Sequence, residues 1–177
     1  MSDQVRDTMT HEEFFAYIAL HPDKRFDFID GEMVEVSPKP MHGYIQAMLA
    51  TILNEWIKES AVGYVFTEVL HVLNGQKCMP DVSVNRDRAK DQAYFDTPPL
   101  LAVEIRSDSQ SRAAQRRKAV DYMQHGTPAV LLIMPDEQVE LFTPDTGNEP
   151  VVFKAGEVVK DIPVLANLVI DTNRLFG

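Results

Sequence analysis

Asp81 and Glu104 are acids placed at or within segments that read as β-strands, and Lys118 follows on a predicted helix. Met79-Pro80-Asp81 opens one strand. Leu100-Leu101-Ala102-Val103-Glu104-Ile105-Arg106 makes a second, apolar one with a carboxylate inside it. An ionised carboxylate in a buried strand is costly unless a partner or a metal compensates it. Two acids at strand ends with a nearby lysine are the ingredients of a metal-dependent site that cleaves phosphodiesters. The carboxylates offer oxygen ligands to Mg2+ or Mn2+. Such a metal neutralises the scissile phosphate and lowers the pKa of a bound water. A lysine close by orients that water or stabilises charge in the transition state.

Alternation along the strand places Leu100, Ala102, Glu104 and Arg106 on one face. A structural pair between Glu104 and Arg106 is therefore the competing explanation for the buried acid. Asp81 shares its face with Ser83. Two further acids stand among apolar neighbours: Glu68, with Phe66, Leu70 and Val72, and Asp27, between Phe26 and Phe28. Each is either an accessory ligand or the partner of an arginine. Ala114, Lys118 and Tyr122 recur at i, i+4 and i+8, one stripe of a helix, so Lys118 stands at the edge of the buried face. His42 opens an earlier helix, where it reads as a cap-region residue or as the border of a cleft. The single cysteine, Cys78, has no histidine or second cysteine at a zinc-like spacing and reads as a strand residue. The isolated glycines make no phosphate loop, and no serine lies in a Gly-x-Ser-x-Gly elbow.

The elements that must position these residues are legible as pattern. Thr10-His11-Glu12-Glu13 fits a capping box, opening a helix from about 11 to 21 that Pro22 ends. Arg25–Ile29 and Glu32–Ser37 flank an Asp30-Gly31 hairpin turn. Met41–Ser60 carries helical spacing in Ile45, Met48, Leu49, Ile52, Leu53 and Trp56. Tyr64–Leu73 and Cys78–Val84 read as strands joined at Asn74-Gly75. After a polar loop to Pro99 come the Leu100–Arg106 strand, a helix from Ser109 to His125 stopped by Gly126 and Pro128, and a buried strand at Ala129–Met134. Strand, helix and strand make a βαβ unit, which predicts parallel strands. Gln138–Thr143, Val151–Phe153 and Val164–Ile170 read as further strands or strand-like segments. The expectation is α/β: one domain over residues 1–177 with a mixed sheet, and a flexible N-terminus over 1–9.

The chain has 177 residues, one cysteine and a formal net charge of −10. That balance argues against a strong general nucleic-acid binder. Charge is uneven, however. Leu101–Val120 holds five basic residues (Arg106, Arg112, Arg116, Arg117, Lys118) against two acids (Glu104, Asp108). The basic stretch overlaps the suspected site, although a solvated helix face accounts equally for its charge. No apolar run approaches a membrane span and the N-terminus has no signal-peptide core, so a cytoplasmic protein without a membrane partner is expected.

Taken together, Pro80-Asp81 and Val103-Glu104-Ile105 resemble the PD-(D/E)XK nuclease superfamily. More narrowly, the chain resembles a large bacterial branch of restriction-endonuclease-like proteins. The similarity rests on Phe28-Ile29-Asp30-Gly31-Glu32, Met79-Pro80-Asp81-Val82, Val103-Glu104-Ile105-Arg106-Ser107, and Lys118-x-x-x-Tyr122-x-x-x-Gly126 leading into Val130-Leu131-Leu132-Ile133. It implies a restriction-endonuclease-like mixed sheet flanked by helices, with Asp81 and Glu104 as metal ligands. The superfamily expects lysine two residues after the glutamate, where this chain has Arg106. In the branch a lysine on the following helix takes its place, which maps to Lys118. Arginine cannot act as a general base at neutral pH, but it can contact phosphate. The branch's usual glutamate before Ile-Asp-Gly is Asp27 here, and Asp108 replaces a usual proline.

The expected function is a Mg2+-dependent (or Mn2+-dependent) endonuclease acting on DNA. Asp81, Glu104, Lys118 and Arg106 would carry the chemistry, with Asp27, Glu68, His42 and Tyr122 as accessory candidates. The rival is a non-catalytic binding module on the same fold. A third reading, a structural partner or homodimer subunit, requires an exposed apolar patch around Val151–Phe153 and Val164–Ile170.

Overall fold

The computed structural model describes residues 9–22, 26–29, 32–35, 39–107, 110–134 and 137–177. The chain divides between Pro38 and Lys39 into two compact units. In the first, α1 (His11–Leu20) begins with the expected capping box. Glu13 N–H donates to Thr10 Oγ1 at 3.2 Å, and Thr10 N–H donates to Glu13 Oε2 at 2.8 Å. β1 (Phe26–Ile29) and β2 (Glu32–Glu35) pair antiparallel. The Asp30-Gly31 turn and residues 1–8 lie outside the described residues.

The second unit opens with α2 (Pro40–Ser60), whose Pro40 takes a first-turn position that needs no N–H donor. Then come β3 (Tyr64–Thr67), β4 (His71–Leu73), β5 (Gln76–Cys78), β6 (Val82–Asn85) and β7 (Leu101–Ile105). α3 (Arg112–Gln124), β8 (Val130–Met134), β9 (Gln138–Phe142), β10 (Val151–Lys154), β11 (Val158–Val159), β12 (Ile170–Asp171) and α4 (Asn173–Phe176) complete it. Six strands form one sheet in the order β10-β9-β8-β7-β6-β3. β7 and β8 are parallel, as the βαβ pattern predicts, and the other neighbours are antiparallel.

Alternation gives the sheet two different faces. One carries Val82, Val84, Leu101, Val103, Ile105, Leu131 and Ile133 against Ile45, Leu49, Ile52 and Leu53 of α2. The other carries Ala102, Val130, Leu132, Met134 and Phe142 against Ala119 and Tyr122 of α3. Glu104 belongs to this second face. No helix among the described residues is long and apolar enough to cross a membrane.

The structure differs from the sequence expectation in three places. The Tyr64–Leu73 and Cys78–Val84 strands each break in two. β3 pairs with β6 in the main sheet, while β4 and β5 form a separate hairpin. The break falls at Glu68, which adopts a left-handed φ of 54° that strand geometry cannot continue. Helix α3 begins later than Ser109, because Ser111 is extended and its Oγ accepts from Ala114 N–H at 3.1 Å. Val164–Ile170 is not a strand. Val164 and Asn167 have positive φ, and only Ile170–Asp171 pairs, with β11. Leu165, Leu168 and Ile170 of that segment are buried in the α2-side core, whereas Val164 and Val169 are exposed.

Candidate active site

Glu104 lies one residue before the end of β7 and is only 5 % exposed. Residues of α3 satisfy both its oxygens. Lys118 Nζ donates to Oε2 at 2.7 Å and Tyr122 O–H donates to Oε1 at 2.7 Å. The i, i+4 spacing that set Lys118 and Tyr122 on one stripe therefore aims both at one carboxylate. Burial pushes the Glu104 pKa up to about 7, the Lys118 ammonium opposes the rise, and the Asp81 carboxylate adds to it. Burial, then the charge of Glu104, also raises the Tyr122 phenol well above its usual value.

Asp81 directly precedes β6. Val82 pairs with Val103, so one step back along this antiparallel register sets Asp81 opposite Glu104. Its Oδ2 accepts the Ile105 N–H at 2.7 Å, which fixes the carboxylate at the end of β7. His42 Nε2, from the first turn of α2, stands 3.5 Å from the same oxygen. One helical turn further on, Gln46 Nε2 donates to the Asp81 carbonyl at 3.0 Å and to Glu68 Oε1 at 3.3 Å. The break in the hairpin thus has a local consequence: Glu68 N–H donates to the Asp81 carbonyl at 3.3 Å, and its side chain turns toward Gln46.

The structure brings Asp81, Glu104, Lys118, Tyr122, His42 and Glu68 to this end of the sheet. Arg106 behaves differently. It lies beyond the last strand residue and its Nη1 donates to the Gln110 carbonyl at 3.2 Å, so the salt bridge of Glu104 is with Lys118 rather than Arg106. Its buried Nε has no hydrogen-bond partner among the described residues. Asp27 lies in β1 of the first unit, and its side chain is outside the described residues.

Comparison with known proteins places the chain by family and by fold. The family Uma2, described as "Putative restriction endonuclease", matches residues 11–173. The chain belongs to the Uma2 family. A crystal structure of a "putative nuclease belonging to DUF820" from Anabaena variabilis ATCC 29413 is 25% identical, with a TM-score of 0.77 over 95% of this chain and 97% of that one. A second structure, the "cryoEM structure DrdV-DNA complex", is 16% identical with a TM-score of 0.43, over 75% of this chain and 11% of that one. No curated protein sequence matches the chain. The Uma2 assignment and the shared fold agree with the PD-(D/E)XK resemblance.

In this Uma2 chain, one residue beside the pair escaped the sequence reading. Gln46 carries no signal of its own, since a glutamine on a helix flank is ordinary and its contacts lie far away in sequence. Cys78 is in β5, as expected for a strand residue, yet it borders the site. Burial and then the Glu104 charge push its thiol up to about 12, which keeps it protonated and unreactive. Among the described residues, no group of three or more His, Cys, Asp or Glu side chains converges as a ready-made metal cage. By strand register, Asp81 and Glu104 stand opposite each other, close enough for the Asp81 charge to raise the Glu104 pKa.

Proposed function

We propose that the chain is a Mg2+-dependent endonuclease that hydrolyses DNA phosphodiester bonds. The observation that carries this reading is the meeting of Asp81 and Glu104 across β6 and β7, with the Lys118 ammonium on Glu104. The pair suits a hard cation. Its donors are carboxylate oxygens, and the repulsion that Asp81 exerts on Glu104 would be relieved by a positive charge held by both. Mg2+ keeps several waters and needs only one or two protein carboxylates, so a pair suffices. Mn2+ fits the same donors.

Bound by Asp81 and Glu104, the metal would supply charge neutralisation at the scissile phosphate and a more acidic water. Lys118 positions the attacking water and stabilises the developing negative charge. Tyr122 holds Glu104 in place through its hydroxyl. The Ile105 N–H and His42 hold the Asp81 carboxylate, and Glu68, tied through Gln46 to Asp81, is the accessory acid. Arg106 contacts phosphate, since a guanidinium cannot accept a proton at neutral pH.

A second reading has its own support. Both Glu104 oxygens are already engaged by protein donors, and arginine stands where the superfamily has lysine. These features suit a binding module that has lost catalysis. Supercoiled plasmid incubated with the protein separates the two. The nuclease reading expects nicked circles with Mg2+ or Mn2+ and none with EDTA. Intact plasmid with either metal, together with no heat of Mg2+ binding by calorimetry, overturns it in favour of the binding module.

A further inference from the structure

A second acid lies on the same sheet face as Glu104. Glu104 pairs with Leu132 across β7 and β8, and Leu132 pairs with Glu140 across β8 and β9. The two carboxylates therefore stand in one transverse row, two strands or about 10 Å apart. Glu140 is fully buried, and α3 answers it as it answers Glu104, but with arginines. Arg116 grips it with two bonds, Nε to Oε2 at 2.8 Å and Nη2 to Oε1 at 2.7 Å. Arg112 Nε adds a third to Oε1 at 2.9 Å, and Arg112 Nη2 donates to Gln138 Oε1 at 2.6 Å.

One arginine would neutralise one buried carboxylate. The second leaves the cluster with a net positive charge, in a chain whose overall charge is −10. The two side chains are also not sealed in: Arg112 is 42% and Arg116 39% exposed, against 0% for Glu140. A guanidinium carries five N–H donors, and these bonds occupy two on each arginine. The bonded donors fix each fork, while a large part of each side chain stays exposed. Planar guanidiniums held rigid in this way are suited to phosphate oxygens and lose little freedom on binding them.

We infer that Arg112 and Arg116, anchored on Glu140, form a phosphate-contacting edge that seats the backbone of duplex DNA beside the Asp81–Glu104 site. The inference rests on the nuclease reading and names how its substrate is held. At about 10 Å from Glu104 along the row, the edge reaches phosphates only a few nucleotides from the scissile one, since successive nucleotides of one strand rise about 3.4 Å. Contacts of this kind position the duplex without reading its sequence.

Fluorescence anisotropy of a labelled DNA duplex of about 20 base pairs in EDTA tests this, with salt varied from about 50 to 200 mM. Arg112→Gln, which leaves Arg116 to neutralise Glu140, is expected to reduce the slope of log affinity against log salt by about 1 and to weaken binding at every sequence alike. Arg116→Lys keeps the charge and is expected to retain most of the slope. A variant Arg112→Gln that melts earlier but shows the wild-type slope overturns the inference, because the arginine then serves only to neutralise Glu140. Preference for RNA of the same length overturns it as well. Asp81→Asn separates the two claims: lost cleavage with an unchanged binding slope supports the nuclease reading independently of the arginine edge. A wild type that neither nicks plasmid nor binds the duplex overturns both.

Discussion

At the scale of single residues, the site is governed by what it costs to bury Glu104. Burial holds its folded pKa near 7 against a usual 4.5, with Lys118 limiting the rise. Between those pH values the folded protein binds more protons than the unfolded chain, so raising the pH erodes stability. The full window corresponds to about 3–4 kcal/mol at most, at roughly 1.4 kcal/mol per unit. Glu104→Gln has no such titration. In EDTA, its melting temperature relative to wild type is therefore expected to rise from pH 5 to pH 8; parallel melting curves across that range would contradict the buried-acid account. Glu104 was legible in the sequence because an acid interrupts an apolar strand. Glu140, between Val139 and Leu141, carries the same signal in a segment without any motif. The Glu104–Arg106 pair was a fair expectation from alternation alone. It fails because β7 stops at Ile105, which frees Arg106 from strand geometry.

At the scale of elements, the site depends on three placements: β6 beside β7 in a register that opposes Asp81 and Glu104, α3 over the face of Glu104, and α2 with its first turns at Asp81. The βαβ unit and its parallel strands were readable from hydrophobic runs and the Gly126-Pro128 stop. The division of the hairpin was not, because one left-handed residue, Glu68, has no local sequence mark. The register of β3 against β6 has a built-in constraint. A Cβ at Gly63 would lie 2.4 Å from the backbone oxygen of Asn85, closer than any side chain tolerates. Gly63→Ala must push β3 away from β6 and is expected to cost about 1–3 kcal/mol, by analogy with other overpacked positions. Urea unfolding measures this. A midpoint equal to wild type would show that β3 and β6 do not pack as closely as the register implies.

At the scale of the whole molecule, an acidic chain carries a local basic cluster on α3, the helix that holds both buried acids. Net charge alone argued against general nucleic-acid binding, and the structure sharpens that point. Three of the four basic residues on α3, Arg112, Arg116 and Lys118, are held by the buried carboxylates Glu140 and Glu104. Order and spacing of short blocks pointed to the nuclease superfamily from sequence, and the Uma2 match over residues 11–173 bears it out. Which side chains meet was less legible, since Gln46, His42 and Asp81 come together only through long-range packing. The most direct measurement is Mg2+-dependent nicking of supercoiled plasmid by Asp81→Asn beside wild type, with circular dichroism to establish that both are folded. The account predicts that the folded variant loses cleavage by at least about a hundredfold, the order expected when a group stabilising transition-state charge is removed. Nicking by Asp81→Asn at the wild-type rate would contradict it.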